Sequence, residues 1–247
     1  MRKKIVAIIQ VRMGSSRLPR KALLPLLGEE PVLACVVNRT QRAATLDEVV
    51  IATTIEERDE PIVNLCKIRE WTYFRGSEED VLDRYLQAAL VSRADVVVRI
   101  TSDCPLIDPE IIDSHVHRML SGWHRIDFVT NMMPQTFPLG LAVEVMPMDV
   151  LVRMHRLSTT AELREHVTTL AYEKPQWFLV DHVLNDVDLS ALRWTVDFPE
   201  DLLFVQRVFA HFGSDQFTWR EALHAVQQHP EWSEINRQVG RRGPGML

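Results

Sequence analysis

The sequence predicts an α/β fold: a mostly parallel sheet flanked by helices, with a β-rich insertion in the second half. Three observations predict it. Residues 4–11 (KIVAIIQV) form a nearly continuous apolar run, the pattern of a parallel strand buried on both faces. Strand-like and helix-like segments then alternate to about residue 125, which implies right-handed βαβ crossovers. After residue 125 the rhythm changes to short apolar stretches with long connections.

Beyond the first strand, residues 30–44 alternate apolar and polar at helical spacing, and residues 48–54 read as the second strand. Residues 58–70 predict a helix, 71–74 a short strand, and 78–92 a helix with Ser77 as N-cap and carboxylates in its first turn. The β-branched run 95–101 is a strand that breaks at Ser102-Asp103-Cys104-Pro105, and Asp108-Pro109-Glu110 starts the next helix. Strands are expected at 126–131, 141–146, 177–184 and 193–197. Helices are expected at 148–172, from Pro199 to about 211, and at 217–228; the tail from Gly240 to Pro244 reads as frayed. The 247 residues suit one domain, with about 126–184 as a β-rich acceptor or dimerisation segment.

Composition narrows the function. A 46% hydrophobic, 25% charged chain is an ordinary globular protein with a sizeable core. Its 28 Lys and Arg against 34 Asp and Glu give a net charge of −6, which argues against general nucleic-acid binding. Cys35, Cys66 and Cys104 are scattered, without CxxC spacing, so a reducing compartment and no disulfide frame are expected. Arg2-Lys3-Lys4 followed by apolar residues looks like a signal peptide, but the stretch is short, Arg12 closes it and no small-residue cleavage site follows. No run is long enough to span a bilayer, and a cytoplasmic protein is expected.

Against the acidic background one segment is basic: Gln10-Val11-Arg12-Met13-Gly14-Ser15-Ser16-Arg17-Leu18-Pro19-Arg20-Lys21. It follows the first strand, at the end of the sheet where ligands of open α/β folds bind. Crowded cations repel one another until an anion arrives, and Arg and Lys grip phosphate oxygens by charge-assisted hydrogen bonds. A triphosphate is the natural candidate; the alternative is a solvated basic loop. The spacing is neither a Walker A motif nor GxGxxG. Asp103 and Asp197 each end an apolar strand, so their carboxylates fall at the same sheet edge, where a metal bridging phosphates would sit. Turn or helix capping is the competing role for each, and Asp197 can do both. His115 and His117 lie two apart on a helix and cannot face one ligand; His166 stands out more, though a surface helix accounts for it nearly as well. There is no HExxH, no GxSxG and no cysteine-centred constellation.

Taken together, the segments QVRMGSSRLPRKAL, RGSEEDVLDRY (75–85), VVRITSDCPLIDPEIID (97–113), REHVT (164–168) and RWTVDFPEDL (193–202) resemble the sugar-acid cytidylyltransferases. That group contains the 3-deoxy-manno-octulosonate and N-acylneuraminate enzymes, and the chain is most similar to its spore coat polysaccharide biosynthesis protein F branch. The resemblance spans nearly the whole chain, with the motifs in order. It implies a GT-A-like, Rossmann-like nucleotidyltransferase that uses CTP and Mg²⁺, joins CMP to an acidic sugar and releases pyrophosphate, and it leaves room for a homodimer. Carried over by position, Arg12, Lys21 and Asp103 would be catalytic. Val11, Gly14, Ser15, Arg17, Arg75 and Ser77 would join them in nucleotide binding, Asp103 and Asp197 would hold the metal, and Glu144, Arg164 and His166 would face the acceptor.

One departure stands out. Where the group commonly reads Pro-x-Gly-x-Asp-x-Glu, this chain has Pro138-Leu139-Gly140-Leu141-Ala142-Val143-Glu144, so Ala142 replaces a frequent acidic residue. Two other readings remain open on the sequence alone. Asp186-Val187-Asp188 has the Asp-x-Asp form of GT-A glycosyltransferases that consume a nucleotide-sugar, and Ala142 fits a non-catalytic nucleotide-binding homologue.

Overall fold

Alternate residues of the first strand feed two separate cores, which explains why its sequence is apolar throughout. In β1 (Ile5–Gln10), Ile5, Ala7 and Ile9 belong to one core, and Val6 and Ile8 to the other. The computed structural model describes residues 2–239. After β1 come a small antiparallel hairpin of β2 (Pro25–Leu27) and β3 (Glu30–Pro31), then α1 (Val32–Gln41) and β4 (Glu48–Thr54). The chain continues through α2 (Glu60–Ile68), β5 (Thr72–Gly76), α3 (Val81–Val91), β6 (Val96–Thr101) and α4 (Pro109–Ser121). Its second half holds β7 (Phe128–Thr130), β8 (Glu144–Pro147), α5 (Met148–Leu157), α6 (Ala161–Glu165), α7 (Thr169–Glu173) and β9 (Val180–His182). Helices α8 (Pro199–Phe212), α9 (Trp219–Gln228) and α10 (Pro230–Ile235) close the described residues.

The main sheet has seven strands in the order β5-β4-β1-β6-β8-β7-β9, and β8 alone runs against the others. Helices cover both faces, as a largely parallel sheet requires. The strands of the β-rich stretch extend this sheet, and three helices lie between them. Carboxyl ends of β1 and β6 therefore lie side by side, with Gln10 in register with Thr101.

Several expectations need correction. The predicted helix 148–172 is three helices: Ser158 ends α5, Thr160 caps α6 by accepting from the Leu163 amide, and Val167 (φ +45°) separates α6 from α7. Segment 193–197 is not a strand; Leu139 and Arg193 form a single bridge, and the Val196 amide donates to the Asp103 carbonyl at 2.8 Å. The helix expected from residue 78 starts at Val81, so its cap is Asp80, which accepts from the Asp83 amide; Ser77 Oγ accepts from the Asp80 amide one step earlier. Residues 240–247, including the tail expected to fray, lie outside the described residues.

Candidate active site

At the carboxyl end of β1 the chain turns into the basic loop, which closes one wall of a cavity of about 330 Å³. The buried Asp59 carboxylate anchors the loop by accepting from the Met13 amide at 2.7 Å. Gly14 keeps the loop close to α3's approach, since a Cβ there would lie 3.1 Å from Glu78 Oε1 and the Glu78 side chain would have to shift. Arg20 takes a left-handed backbone (φ 60°), after which a short turn at Lys21–Leu23 brings the Lys21 side chain back toward the sheet. Val11, Arg12, Gly14, Ser15, Arg17, Lys21, Asp103 and Asp197 all line the cavity, so the structure brings together the expected triphosphate and metal residues.

Lys21 is the centre of the arrangement. Its Nζ donates to Asp103 Oδ2 at 2.8 Å and to Asp197 Oδ1 at 2.9 Å. Arg17 pairs with Asp197 as well, and Arg193 Nη2 reaches Asp197 Oδ2 at 3.2 Å. Burial works to lower the Lys21 pKa, but the two carboxylates outweigh it and hold the ammonium above its ordinary value. Burial likewise opposes the Asp103 carboxylate, yet the charge and hydrogen bond of Lys21 keep it well below the usual carboxylate range.

Neither aspartate caps a helix. Asp108 caps α4 by accepting from the Glu110 amide at 2.9 Å, and at α8 the Asp197 and Phe198 amides both donate to Asp201 at 3.1 Å. Asp103 and Asp197 instead turn their carboxylates to Lys21 at the cavity wall. Two carboxylates meeting at one point suit Mg²⁺, which takes one or two protein carboxylates and completes its shell with phosphate oxygens and water. Among the described residues no cluster of three or more His, Cys, Asp or Glu forms a self-sufficient metal cage. Next to Asp103, burial and then the Asp103 charge push the Cys104 thiol far above its ordinary value, which keeps it out of nucleophilic chemistry.

Ala142, Glu144, Glu165 and His166 line the cavity too, with Glu165 Oε1 3.6 Å from Arg12 Nη2 of the basic loop. Glu144 is 3% exposed. It pairs with Arg99 and accepts from Thr168 Oγ1 at 2.9 Å and from the Tyr172 hydroxyl at 2.5 Å. Burial and the neighbouring Glu144 raise the Tyr172 phenol well above its ordinary value, so it remains a donor. The Glu144 carboxylate is therefore committed within the protein.

Three expected residues do not line the cavity. Arg75 pairs with Glu60 and donates to the Thr54 carbonyl at 2.9 Å. Ser77 Oγ serves the turn before α3. Arg164 faces Asp80 (2.5 Å) and the His155 carbonyl (3.1 Å), tying α6 to α3 and α5. Asp186 and Asp188 of the Asp-x-Asp segment lie outside the cavity too; Asp188 accepts from the Ser190 amide at 2.9 Å. Sequence reasoning missed Arg84, Arg99 and Arg193, which all line the cavity. Arg99 carried a readable signal, a cation inside the apolar run VVVRIT.

Known proteins resemble the chain in sequence and fold. The sequence profile described as cytidylyltransferase matches residues 6–206. The spore coat polysaccharide biosynthesis protein SpsF of Bacillus subtilis is 32% identical over 216 residues, covering 85% of this chain and 88% of that one. An uncharacterised protein of Methanocaldococcus jannaschii is 35% identical over 241 residues, 97% of each chain. A solved cytidylyltransferase structure from Leptospira borgpetersenii superposes with a TM-score of 0.91 at 30% identity, covering 98% of this chain and 100% of that one. This protein belongs to the cytidylyltransferase family, and SpsF is among its relatives.

Proposed function

We propose that the protein transfers CMP from CTP to a sugar or sugar acid, with release of pyrophosphate, in the assembly of a surface polysaccharide or other glycan. Membership of the family supports CTP-dependent nucleotidyl transfer. The observation that carries the reading further is Lys21 Nζ held between Asp103 and Asp197 beneath the basic loop. That loop is the anion-holding half of a metal–triphosphate site, and the two aspartates are the other half.

In this mechanism a sugar oxygen attacks the α-phosphorus in line, the bond to the β-phosphate oxygen breaks, and pyrophosphate leaves. Arg12, Arg17 and Lys21 hold the triphosphate and offset the charge that grows on the departing pyrophosphate. Gly14 and Ser15 let the backbone approach the phosphates. Asp103 and Asp197 would hold Mg²⁺, which would supply neutralisation of phosphate charge and polarisation of the α-phosphate. His166 and Glu165 border the acceptor side, while Ala142 leaves space where an acidic side chain is frequent in the group. Glu144 shapes that side through Arg99.

Among the described residues no helix is long and apolar enough to cross a membrane. The three buried free cysteines support a cytoplasmic setting. We assign a second copy of the chain to the edge strand β9, because Trp177, Leu179, Leu184 and Val187 expose apolar surface around it. Light scattering in solution tests the dimer. For the reaction, pyrophosphate release is measured with CTP, Mg²⁺ and a panel of neutral and acidic sugars. Acceptor-dependent release supports the proposal; CTP binding without release for any acceptor favours a non-catalytic nucleotide-binding protein.

A further inference from the structure

Lys21 cannot serve the two aspartates and a triphosphate at once. Its Nζ donates to Asp103 Oδ2 at 2.8 Å and to Asp197 Oδ1 at 2.9 Å. The ammonium therefore lies between one oxygen of each proposed metal carboxylate. A metal ion bridging the same two oxygens would need the space that Nζ fills. The contact is also sheltered, since the Lys21 side chain is 13% exposed and that of Asp197 18%.

The other contacts of Asp197 close the pair to a bare metal ion. Its Oδ1 also meets Arg17, and Arg193 Nη2 reaches its Oδ2 at 3.2 Å. Arg193 in turn spans Asp201 with Nε and Nη2, at 2.8 and 2.9 Å. Asp103, Asp197 and Asp201 thus face Lys21, Arg17 and Arg193, and the cluster is balanced in charge. A divalent ion added to it would be repelled by the cations already there, in a partly buried setting that screens charge poorly. It enters only if a cation leaves.

Lys21 is the cation built to leave. An ammonium on a flexible four-carbon stem re-aims easily, whereas the guanidinium of Arg193 is forked on Asp201 and stays. Lys21 follows the left-handed turn at Arg20 and lines the same cavity as Arg12, Gly14, Ser15 and Arg17. A triphosphate entering the basic loop offers its ammonium a polyanion in exchange for the two carboxylates. The oxygens that Lys21 vacates are then open to the metal ion that accompanies the nucleotide.

We infer that Lys21 gates the metal position: in the nucleotide-free protein its ammonium holds the place between Asp103 and Asp197, and a divalent ion enters only when a triphosphate draws Lys21 away. The inference rests on the metal–triphosphate reading above and adds the order of loading, with metal and nucleotide arriving together and not metal first.

The test follows free Mn²⁺ by electron paramagnetic resonance as nucleotide-free protein is added, a readout independent of turnover. Wild type should take up Mn²⁺ weakly, and Asp103→Asn should bind it no more weakly still. Lys21→Met removes the ammonium at similar length and should bind Mn²⁺ roughly tenfold more tightly than wild type, as expected when a charge-assisted pair no longer has to be displaced. Adding Asp103→Asn to Lys21→Met should abolish that gain. Lys21→Gln takes the place of the Met variant if the latter does not fold by circular dichroism. Tight Mn²⁺ binding by the nucleotide-free wild type that Asp103→Asn abolishes would overturn the inference without any Lys21 variant. A folded Lys21 variant that binds Mn²⁺ no more tightly than wild type would overturn it too. The underlying metal reading is checked separately by adding CTP and using water-proton relaxation to tell protein-bound Mn²⁺–CTP from the free complex. If wild type forms no such ternary complex, the metal reading fails and the gate with it; if the complex forms but the Lys21 variant gains nothing, the gate alone fails.

Discussion

The Asp201 carboxylate accepts the Asp197 amide at 3.1 Å, and this leaves the Asp197 side chain to meet Lys21 at 2.9 Å. One acid does the capping and the other faces the cavity. Asp201 is fully buried and also takes two hydrogen bonds from Arg193, at 2.8 and 2.9 Å. Asp201→Ala would leave Arg193 buried with half its partners and is expected to cost about 3–5 kcal/mol of unfolding free energy. Urea unfolding measures this. Turnover should fall as well, because Asp197 loses the amide contact that holds it in place.

Glu144 tests whether an acceptor-side acid acts on the acceptor or on the fold. Burial works against the Arg99 charge, but Glu144 more than restores it, so the two form a tight buried pair. Glu144→Gln leaves Arg99 uncompensated and is expected to destabilise the protein by about 3 kcal/mol or more. The Michaelis constant for CTP should change little. A stable variant with only a raised Michaelis constant for the sugar would instead show direct acceptor contact.

His115 predicts a pH effect on stability. Burial holds its pKa down at about 4, and its Nδ1 lies 2.7 Å from the Ile111 carbonyl. The unfolded chain takes up the proton near the ordinary value of about 6.5, before the folded protein does, so stability falls as pH drops from there toward 4. The expected loss from this group is about 2 kcal/mol at pH 5 relative to pH 8. Chemical denaturation at the two pH values checks it, and His115→Phe should flatten that part of the profile.

How much of this was legible follows from what each residue contacts. The β1 run was readable because both of its faces meet a core. Segment 193–197 has a strand's pattern because Trp194 and Val196 are buried, but its amides bond to loop carbonyls of Leu139 and Asp103 and not to a ladder. The break within 148–172 was hidden because helical residues flank Ser158 and because Val167, a β-branched residue, adopts a left-handed backbone that its type disfavours. In the site, Asp103 just beyond β6 and the basic loop after β1 could be placed from sequence, and Asp197 followed a segment with a strand's pattern though not its ladder. Arg84 could not: in VLDRY it looks like any polar position of an amphipathic helix, and only the crossing of α3 over β1 and β4 turns it inward. Arg75 and Arg164 were misplaced for the opposite reason, since acidic neighbours on α2 and before α3 draw them away.

The central claim is that Asp103, Asp197 and the basic loop form one metal–triphosphate site. The most direct measurement is CTP affinity with and without Mg²⁺, in wild type and in Asp103→Asn. Wild type should bind CTP more tightly with Mg²⁺, and Asp103→Asn should lose most of that gain while keeping metal-free affinity through Arg12, Arg17 and Lys21. An undiminished Mg²⁺ gain in Asp103→Asn would contradict the account.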